Sequence, residues 1–189
     1  MHRLPFSVKR NERPGASLCG GTFTATDGTL SVEMETARMR IKGIHNTYDA
    51  MAATLAALSA GVEPDSIRRT LESFAGVEHR LEPAGELDGV LYVNDSKATN
   101  VDSVWYALES MTRPVVWIAG GTDKGNDYGP LMDFAREKVK ALVCMGLDND
   151  KLKKSFSGIV PVIYDTYSLE DAMNAARAAA VPGDTVLLS

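Results

Sequence analysis

The sequence predicts an α/β fold whose second half is organised around a parallel sheet. From residue 90 onward, apolar and β-branched runs alternate with segments of helical periodicity, and strands separated by single helices are typical of right-handed βαβ units. Ligands bind such sheets where the strands end. The predicted strands are 90–93, 115–119, 141–145, 160–163 and 185–188, and the predicted helices are 101–111, 128–138, 149–156 and 169–180.

The first half of the chain is strand-rich and then helical. Asp27-Gly28 lies between two β-prone runs and predicts a hairpin. Segment 38–41 alternates polar and apolar residues and predicts a further strand. Helical spacing begins near residue 46, which predicts helices over 46–60 and 64–74. Segment 75–88, with Gly, Pro and several charges, predicts a hinge-like linker, so we expect domains at 1–77 and 78–189.

Composition narrows the class of protein. The 189 residues include 44% hydrophobic and 24% charged residues, an ordinary globular mixture, with a net charge of -5. A chain without a basic surplus is not expected to bind nucleic acid or an anionic membrane. Cys19 and Cys144 have no metal-ligand spacing and are expected to be reduced thiols. No apolar run reaches the roughly 20 residues that span a bilayer, and the start lacks a signal-peptide stretch, so we expect a cytoplasmic protein.

The first candidate loop, 94–100, directly follows a predicted strand. It contains Asp95, Lys97, two hydroxyls and two amides. Backbone N–H groups, a helix N-terminus and a lysine together suit an anion. A polar turn that caps the next helix, with Ser96, Thr99 or Asn100 as the N-cap, explains the same residues equally well.

The second candidate loop, 120–125, follows the predicted strand at 115–119. Gly120 and Gly121 allow close backbone approach to a ligand, and Lys124 offers a charge to a carboxylate or phosphate. An ordinary glycine turn is the alternative. The loop lacks the G-x-x-x-x-G-K-[ST] order of a phosphate loop, and the chain contains neither H-E-x-x-H nor G-x-S-x-G.

Two shorter motifs lie nearer the N-terminus. Asn46, in Gly43-Ile44-His45-Asn46, has an amide able to pair with an adenine edge, or it caps the following helix. Arg80, in His79-Arg80, suits a base or a phosphate, or is an exposed linker arginine.

These four motifs, in this order, resemble landmarks of the Mur ligases over roughly residues 38–189. The run Asp95 to Asn100 resembles most the loop of the members that add D-glutamate. The resemblance implies a Rossmann-like C-terminal domain that binds the amino acid, preceded here by the end of a central ATPase domain. One departure is Asp49, which stands where a second asparagine is expected.

The resemblance also implies a role for each candidate. Asn46 would lie near adenine, Arg80 against the nucleotide and Asp95 towards the ribose. Lys97 would act near the phosphates as the catalytic residue, and Thr99 and Lys124 would bind D-glutamate.

The implied substrates are ATP, UDP-N-acetylmuramoyl-L-alanine and D-glutamate, with Mg²⁺ held by residues outside this chain, in a monomer. We expect the chain to be an inactive fragment of such an enzyme, because it contains no phosphate loop. Three alternatives stay open: another Mur-type or folylpolyglutamate-type ligase, a dinucleotide-binding oxidoreductase, and a non-catalytic nucleotide-binding module. The absence of glycine from the turn after Val93 argues against the oxidoreductase.

Overall fold

The computed structural model describes residues 3–122 and 125–189. The chain divides into two compact units, Met1–Gly76 and Val77–Ser189. Each unit has its own sheet and its own hydrophobic core.

Unit 1 packs two helices on a small sheet. Its strands are β1 (Phe6–Ser7), β2 (Gly15–Cys19), β3 (Thr22–Thr26) and β4 (Ser31–Glu35), in the order β1-β2-β3-β4. Helices α1 (Ile44–Ser59) and α2 (Pro64–Ser73) follow. Alternate residues of the strands meet one face of α1, as the periods of strand and helix require. The core residues include Phe23, Ala25, Val32, Met34, Met51, Leu55 and Leu58.

The predicted hairpin is confirmed. β3 and β4 pair antiparallel from Thr22 opposite Glu35 to Thr26 opposite Ser31. Asp27 stabilises the turn, because its Oδ1 accepts hydrogen bonds from the backbone N–H groups of Thr29 and Leu30, both at 2.8 Å.

The strand predicted at 38–41 is wrong. Thr36–Arg38 forms a 3₁₀ turn, and 39–43 is irregular. Lys42 supplies the physical reason: its Nζ donates to the carbonyl oxygens of Ala37 and Met39, at 2.7 and 2.5 Å. These carbonyls therefore bond to a side chain in place of a neighbouring strand, while Met39 is buried in the core.

Unit 2 is a three-layer α/β domain with a six-stranded sheet. Its strands are β5 (Glu82–Leu87), β6 (Val90–Asn94), β7 (Val115–Gly120), β8 (Val139–Met145), β9 (Val162–Thr166) and β10 (Thr185–Leu188). The sheet order is β5-β6-β10-β7-β8-β9, and every pair is parallel except β5 with β6. The α/β prediction with a parallel sheet is confirmed.

The two faces of this sheet have separate cores. Along β7, Trp117 faces α3 (Val101–Ser110), α4 (Met132–Lys138) and α5 (Asp150–Phe156), whereas Val116 and Ile118 face α6 (Leu169–Ala179). This alternation is the period of two expected of a strand buried on both faces. Helices cover both faces of the central strands, whose ends therefore reach solvent while their faces are buried.

The linker predicted at 75–88 is wrong over its second half. Residues 82–87 form the edge strand β5, paired to β6. The sequence Glu-Pro-Ala-Gly-Glu-Leu lacks apolar alternation because almost all of its side chains are exposed, and Pro83 and Gly85 coincide with a break in register. Proline is tolerated on an edge strand, which has ladder partners on one side only.

Candidate functional site

The strand ends of unit 2 form the candidate site. In a parallel sheet the carboxyl ends of β6, β10, β7, β8 and β9 share one edge. Both polar loops found in the sequence follow strands at this edge: 94–100 follows β6, and 120–125 follows β7. They are separated by β10, which lies between those strands.

A cavity of about 110 Å³ joins the two loops. Its lining brings together Thr99, Gly120 and Gly121 from the candidate motifs. The lining combines apolar residues, among them the buried Trp117, with a comparable number of polar ones. A concave site with apolar walls and convergent polar groups is the usual form of a small-molecule site. Further lining residues, absent from the predicted set, are Asn126, Tyr128, Asp148, Asn149 and Lys151.

Gly120 is fixed by close backbone approach. A Cβ at this position would lie 1.9 Å from the carbonyl oxygen of Met145, so no larger residue fits. The N–H of Gly121 donates to the same oxygen at 3.1 Å. The loop after β7 therefore rests directly on the end of β8.

Asp95 is buried, with 4% of its surface exposed, and its carboxylate is hydrogen bonded. Oδ1 accepts from the N–H of Leu81 at 3.0 Å, and Oδ2 accepts from the hydroxyl of Ser189 at 3.2 Å. The predicted approach of this side chain to a nucleotide stays a prediction. Asp95 joins the end of β6 to the turn that carries Arg80.

The turn around Arg80 has a strained backbone. His79 has φ 64° and Leu81 has φ 46°, and both are non-glycine residues in the left-handed region. Several hydrogen bonds hold the turn: the His79 carbonyl accepts from the N–H of Lys97 at 3.0 Å, and its N–H donates to Glu82 at 2.8 Å. Strain of this kind persists where the surroundings over-determine the conformation, and it is frequent at functional sites.

These hydrogen bonds place two cationic residues, Lys97 and Arg80, on adjoining turns. The backbone of Lys97 bonds to the residue before Arg80, and both Lys97 and Arg80 are exposed. A pair of this kind suits an anion that spans two charges, such as a polyphosphate.

The capping alternative for loop 94–100 is confirmed for one residue. Asn100 is the N-cap of α3, and its Oδ1 accepts from the N–H of Ser103 at 2.9 Å. Thr99, next to it, is exposed and lines the cavity. The loop therefore both caps a helix and contributes to a cavity.

Asn46 is not the N-cap of α1. Gly43 holds that position with φ 93°, a left-handed conformation that suits glycine, and Asn46 lies in the first turn. Its Nδ2 donates to the carbonyl oxygen of Lys42 at 2.6 Å. Its predicted contact with adenine stays a prediction. Lys124, the predicted second ligand of D-glutamate, lies outside the described residues.

No metal site is visible in the part of the chain that the structure describes. None of its His, Cys, Asp and Glu side chains form a group of three or more that could hold a metal ion. We therefore assign no Mg²⁺ ligand among the described residues. Within the same described residues, no helix is long and apolar enough to cross a membrane.

The parallel sheet, with its cavity at the strand ends, places unit 2 among the Rossmann-like ligand-binding domains. Residues 79–189 match the family described as Mur ligase, glutamate ligase domain. The chain belongs to the Mur ligase family.

Similar proteins agree with this assignment. The chain is 47% identical over 189 residues to a UDP-N-acetylmuramoylalanine--D-glutamate ligase of Bacteroides thetaiotaomicron, covering 100% of this chain and 42% of that protein. It is 42% identical to the protein of the same name from Christiangramia forsetii, over 99% of this chain and 42% of that one. The chain thus spans about two-fifths of the length of these relatives.

The fold likewise resembles solved structures of the family. UDP-N-acetylmuramate-alanine ligase MurC of Thermotoga maritima superimposes with a TM-score of 0.72 at 17% identity, covering 97% of this chain and 43% of that one. At this identity the likeness concerns the fold alone.

Proposed function

We propose that this chain supplies the amino-acid end of an ATP-dependent ligase that joins D-glutamate to UDP-N-acetylmuramoyl-L-alanine in peptidoglycan precursor synthesis. One observation carries the proposal: Thr99 and Gly120–Gly121 line a single cavity, in a chain 42–47% identical to D-glutamate ligases along its whole length. The proposed setting is the cytoplasm and the proposed state is a monomer.

The proposed reaction has two stages. ATP phosphorylates the carboxylate of the nucleotide-linked substrate, and the amine of D-glutamate then attacks the acyl phosphate, releasing phosphate. In such transfers the protein contributes mainly positioning and charge neutralisation. Mg²⁺, when bound, neutralises charge on the transferring phosphoryl group. Its ligands are proposed to lie outside this chain.

The residues at the strand ends receive these roles. Thr99 and Lys124 bind the carboxylates of D-glutamate, and Lys97 acts near the phosphates. Two features support these roles: Thr99 opens onto the cavity, and Lys97 is exposed beside the His79-Arg80 turn. A lysine acts on these anions as a point charge with three donors.

The nucleotide is proposed to contact Arg80 and Asn46, with Arg80 against the phosphates or base and Asn46 at adenine. Asp95 belongs to the same end of the site. Because its carboxylate is buried and bonded to the Leu81 amide, we propose that it acts by holding the turn that presents Arg80.

A hybrid ligase tests this function. In it, these 189 residues replace the matching stretch of the Bacteroides thetaiotaomicron relative, and phosphate release is measured with ATP, Mg²⁺, UDP-N-acetylmuramoyl-L-alanine and D-glutamate. We expect release that depends on D-glutamate and is far weaker with L-glutamate. A hybrid that unfolds cooperatively, yet shows no D-glutamate-dependent release under conditions where the parent relative is active, would refute the proposal.

A further inference from the structure

Asn149 is a buried amide next to the candidate site. It ends the loop that follows β8, immediately before α5, and only 5% of its surface is exposed. Its Nδ2 lies within hydrogen-bond distance of three acceptors: the carbonyl oxygens of Gly146 at 3.2 Å and Thr166 at 3.1 Å, and Oδ1 of Asp165 at 2.8 Å. A buried amide with partners on several segments fixes those segments relative to one another.

The partners of Asn149 lie at the ends of two neighbouring strands. Asp165 and Thr166 end β9, whereas Gly146 directly follows β8. The N–H of Gly146 donates to the carbonyl oxygen of Thr166 at 3.1 Å. Asn149 therefore connects the carboxyl end of β8 to the carboxyl end of β9 by hydrogen bonds.

An ion pair anchors this arrangement. Lys153, one turn along α5, contacts Oδ2 of Asp165 at 2.5 Å, and its N–H donates to the carbonyl oxygen of Asn149 at 2.9 Å. Asn149, Asp165 and Lys153 thus form a closed ring of contacts. The ring holds the start of α5 as well as the loop.

The ring formed by Asn149, Asp165 and Lys153 is connected to Gly120 and Gly121, after β7, through backbone contacts. The N–H of Gly121 bonds to the Met145 carbonyl oxygen, and a Cβ on Gly146 would lie 3.5 Å from Gly121 N and 3.0 Å from Asn149 Oδ1. With so little space between them, residues 120–121 rest on residues 145–146. Moving Gly146 would therefore move residues 120 and 121.

We propose that Asn149 is a positioning residue for the amino-acid end of the site, acting on Gly120 and Gly121 through Gly146. The expected change in kinetics rests on the proposed function. The expected change in local structure rests only on the contacts of Asn149. Asn149 also lines the cavity, so its displacement would alter the cavity wall directly.

The kinetic test uses the hybrid ligase with Asn149→Ala and with Asn149→Asp, which keeps the size but loses the donors. We expect the KM for D-glutamate to rise roughly ten- to a hundredfold, because small misplacements in a site have effects of that order, while the KM for ATP changes much less. Asn174→Ala, the same change on an exposed face of α6, is the matched control and should leave both constants unchanged.

The structural test uses the 189-residue chain and does not depend on activity. Hydrogen exchange at the Gly121 and Gly146 amides should accelerate at least about tenfold in Asn149→Ala, relative to amides within β10, since local opening affects only neighbouring groups.

The outcomes separate the two proposals. An inactive wild-type hybrid counts against the proposed function alone and leaves the exchange result standing. If the hybrid is active, equal increases in both KM values, an unchanged KM for D-glutamate, or exchange that accelerates uniformly across the chain would overturn the positioning role of Asn149.

Discussion

The Asp95 carboxylate accepts a hydrogen bond from the backbone N–H of Leu81 at 3.0 Å, tying the end of β6 to a turn with left-handed residues. An amide that loses its acceptor is costly, so this contact links the stability of unit 2 to the conformation of the turn that carries Arg80.

Asp95→Ala should destabilise unit 2 by about 1–3 kcal/mol, because it removes the carboxylate that accepts from the half-buried N–H of Leu81. Asp95→Asn keeps one oxygen and should lose less. Urea unfolding of the chain measures both values. Glu137→Gln, at an exposed position on α4, is the control, and a loss from Asp95→Ala no larger than the control would contradict the prediction.

Lys124→Ala in the hybrid ligase should raise the KM for D-glutamate far more than the KM for ATP. Losing a hydrogen bond to a charged group costs about 1.5–3 kcal/mol, or roughly ten- to a hundredfold. Steady-state kinetics with each substrate varied in turn provide the measurement. Lys154→Ala, an exposed lysine on α5, serves as the comparison, and an unchanged KM for D-glutamate would rule out the role assigned to Lys124.

Lys138→Met should lower the free energy of unfolding by about 1–3 kcal/mol. Lys138 Nζ donates to the carbonyl oxygens of Leu108, Glu109 and Met111 at 2.8–3.0 Å, which places its charge at the C-terminus of α3. Methionine keeps the aliphatic packing and removes the donors. Thermal and urea unfolding should show this loss, with Lys154→Met nearly neutral; equal effects from the two changes would argue against the cap.

Stability should also depend on Asp165 in acid. Hydrogen bonds from Lys153 and Asn149 hold the pKa of Asp165 below its usual value. A depressed folded pKa stabilises the fold above the unfolded value near 4 and loses that effect as the pH falls through the folded value. Asp165→Asn should therefore give a shallower fall in unfolding free energy below about pH 4. Parallel curves for the two proteins would contradict this.

The two cysteines should differ in reactivity. Cys19 is exposed, whereas Cys144 is fully buried in β8, and burial raises its pKa to about 12. A raised thiol pKa favours the neutral form in the folded state, so its contribution to stability is present below about pH 8.5 and is lost as the pH rises towards 12. Titration with a thiol reagent at pH 8 should modify one cysteine rapidly and the second only after unfolding.

Much of unit 2 could be predicted because its buried strands are continuous apolar runs. β7 and β8 are recognisable in this way, and the polar loops that begin after β6 and β7 lie at the edge of the sheet where the pattern predicts them. β5 was not visible, because an exposed edge strand needs no apolar pattern. Segment 38–41 has the pattern of a strand, yet the Lys42 side chain donates to the carbonyl oxygens of Ala37 and Met39, just before it and within it.

The site was predicted only in part for a similar reason. Thr99 and Gly120 lie in local motifs with recognisable chemistry. Asn149 belongs to no motif, and its importance arises from partners on β8 and β9 that only the folded chain brings together. A polar residue at a strand-to-helix junction is the signal that the sequence offers, and the same signal marks the start of many ordinary helices.

The position of β10 has a consequence for how this domain forms. β10 follows the other strands in the chain, yet it lies at the centre of the sheet between β6 and β7. During synthesis, the facing edges of β6 and β7 can pair with β10 only after residues 185–188 have been made. Until then each presents unpaired backbone groups, and pairing that spans many residues is intrinsically slow. A nascent chain in this state would expose unpaired strand edges, which can pair with other chains and promote aggregation.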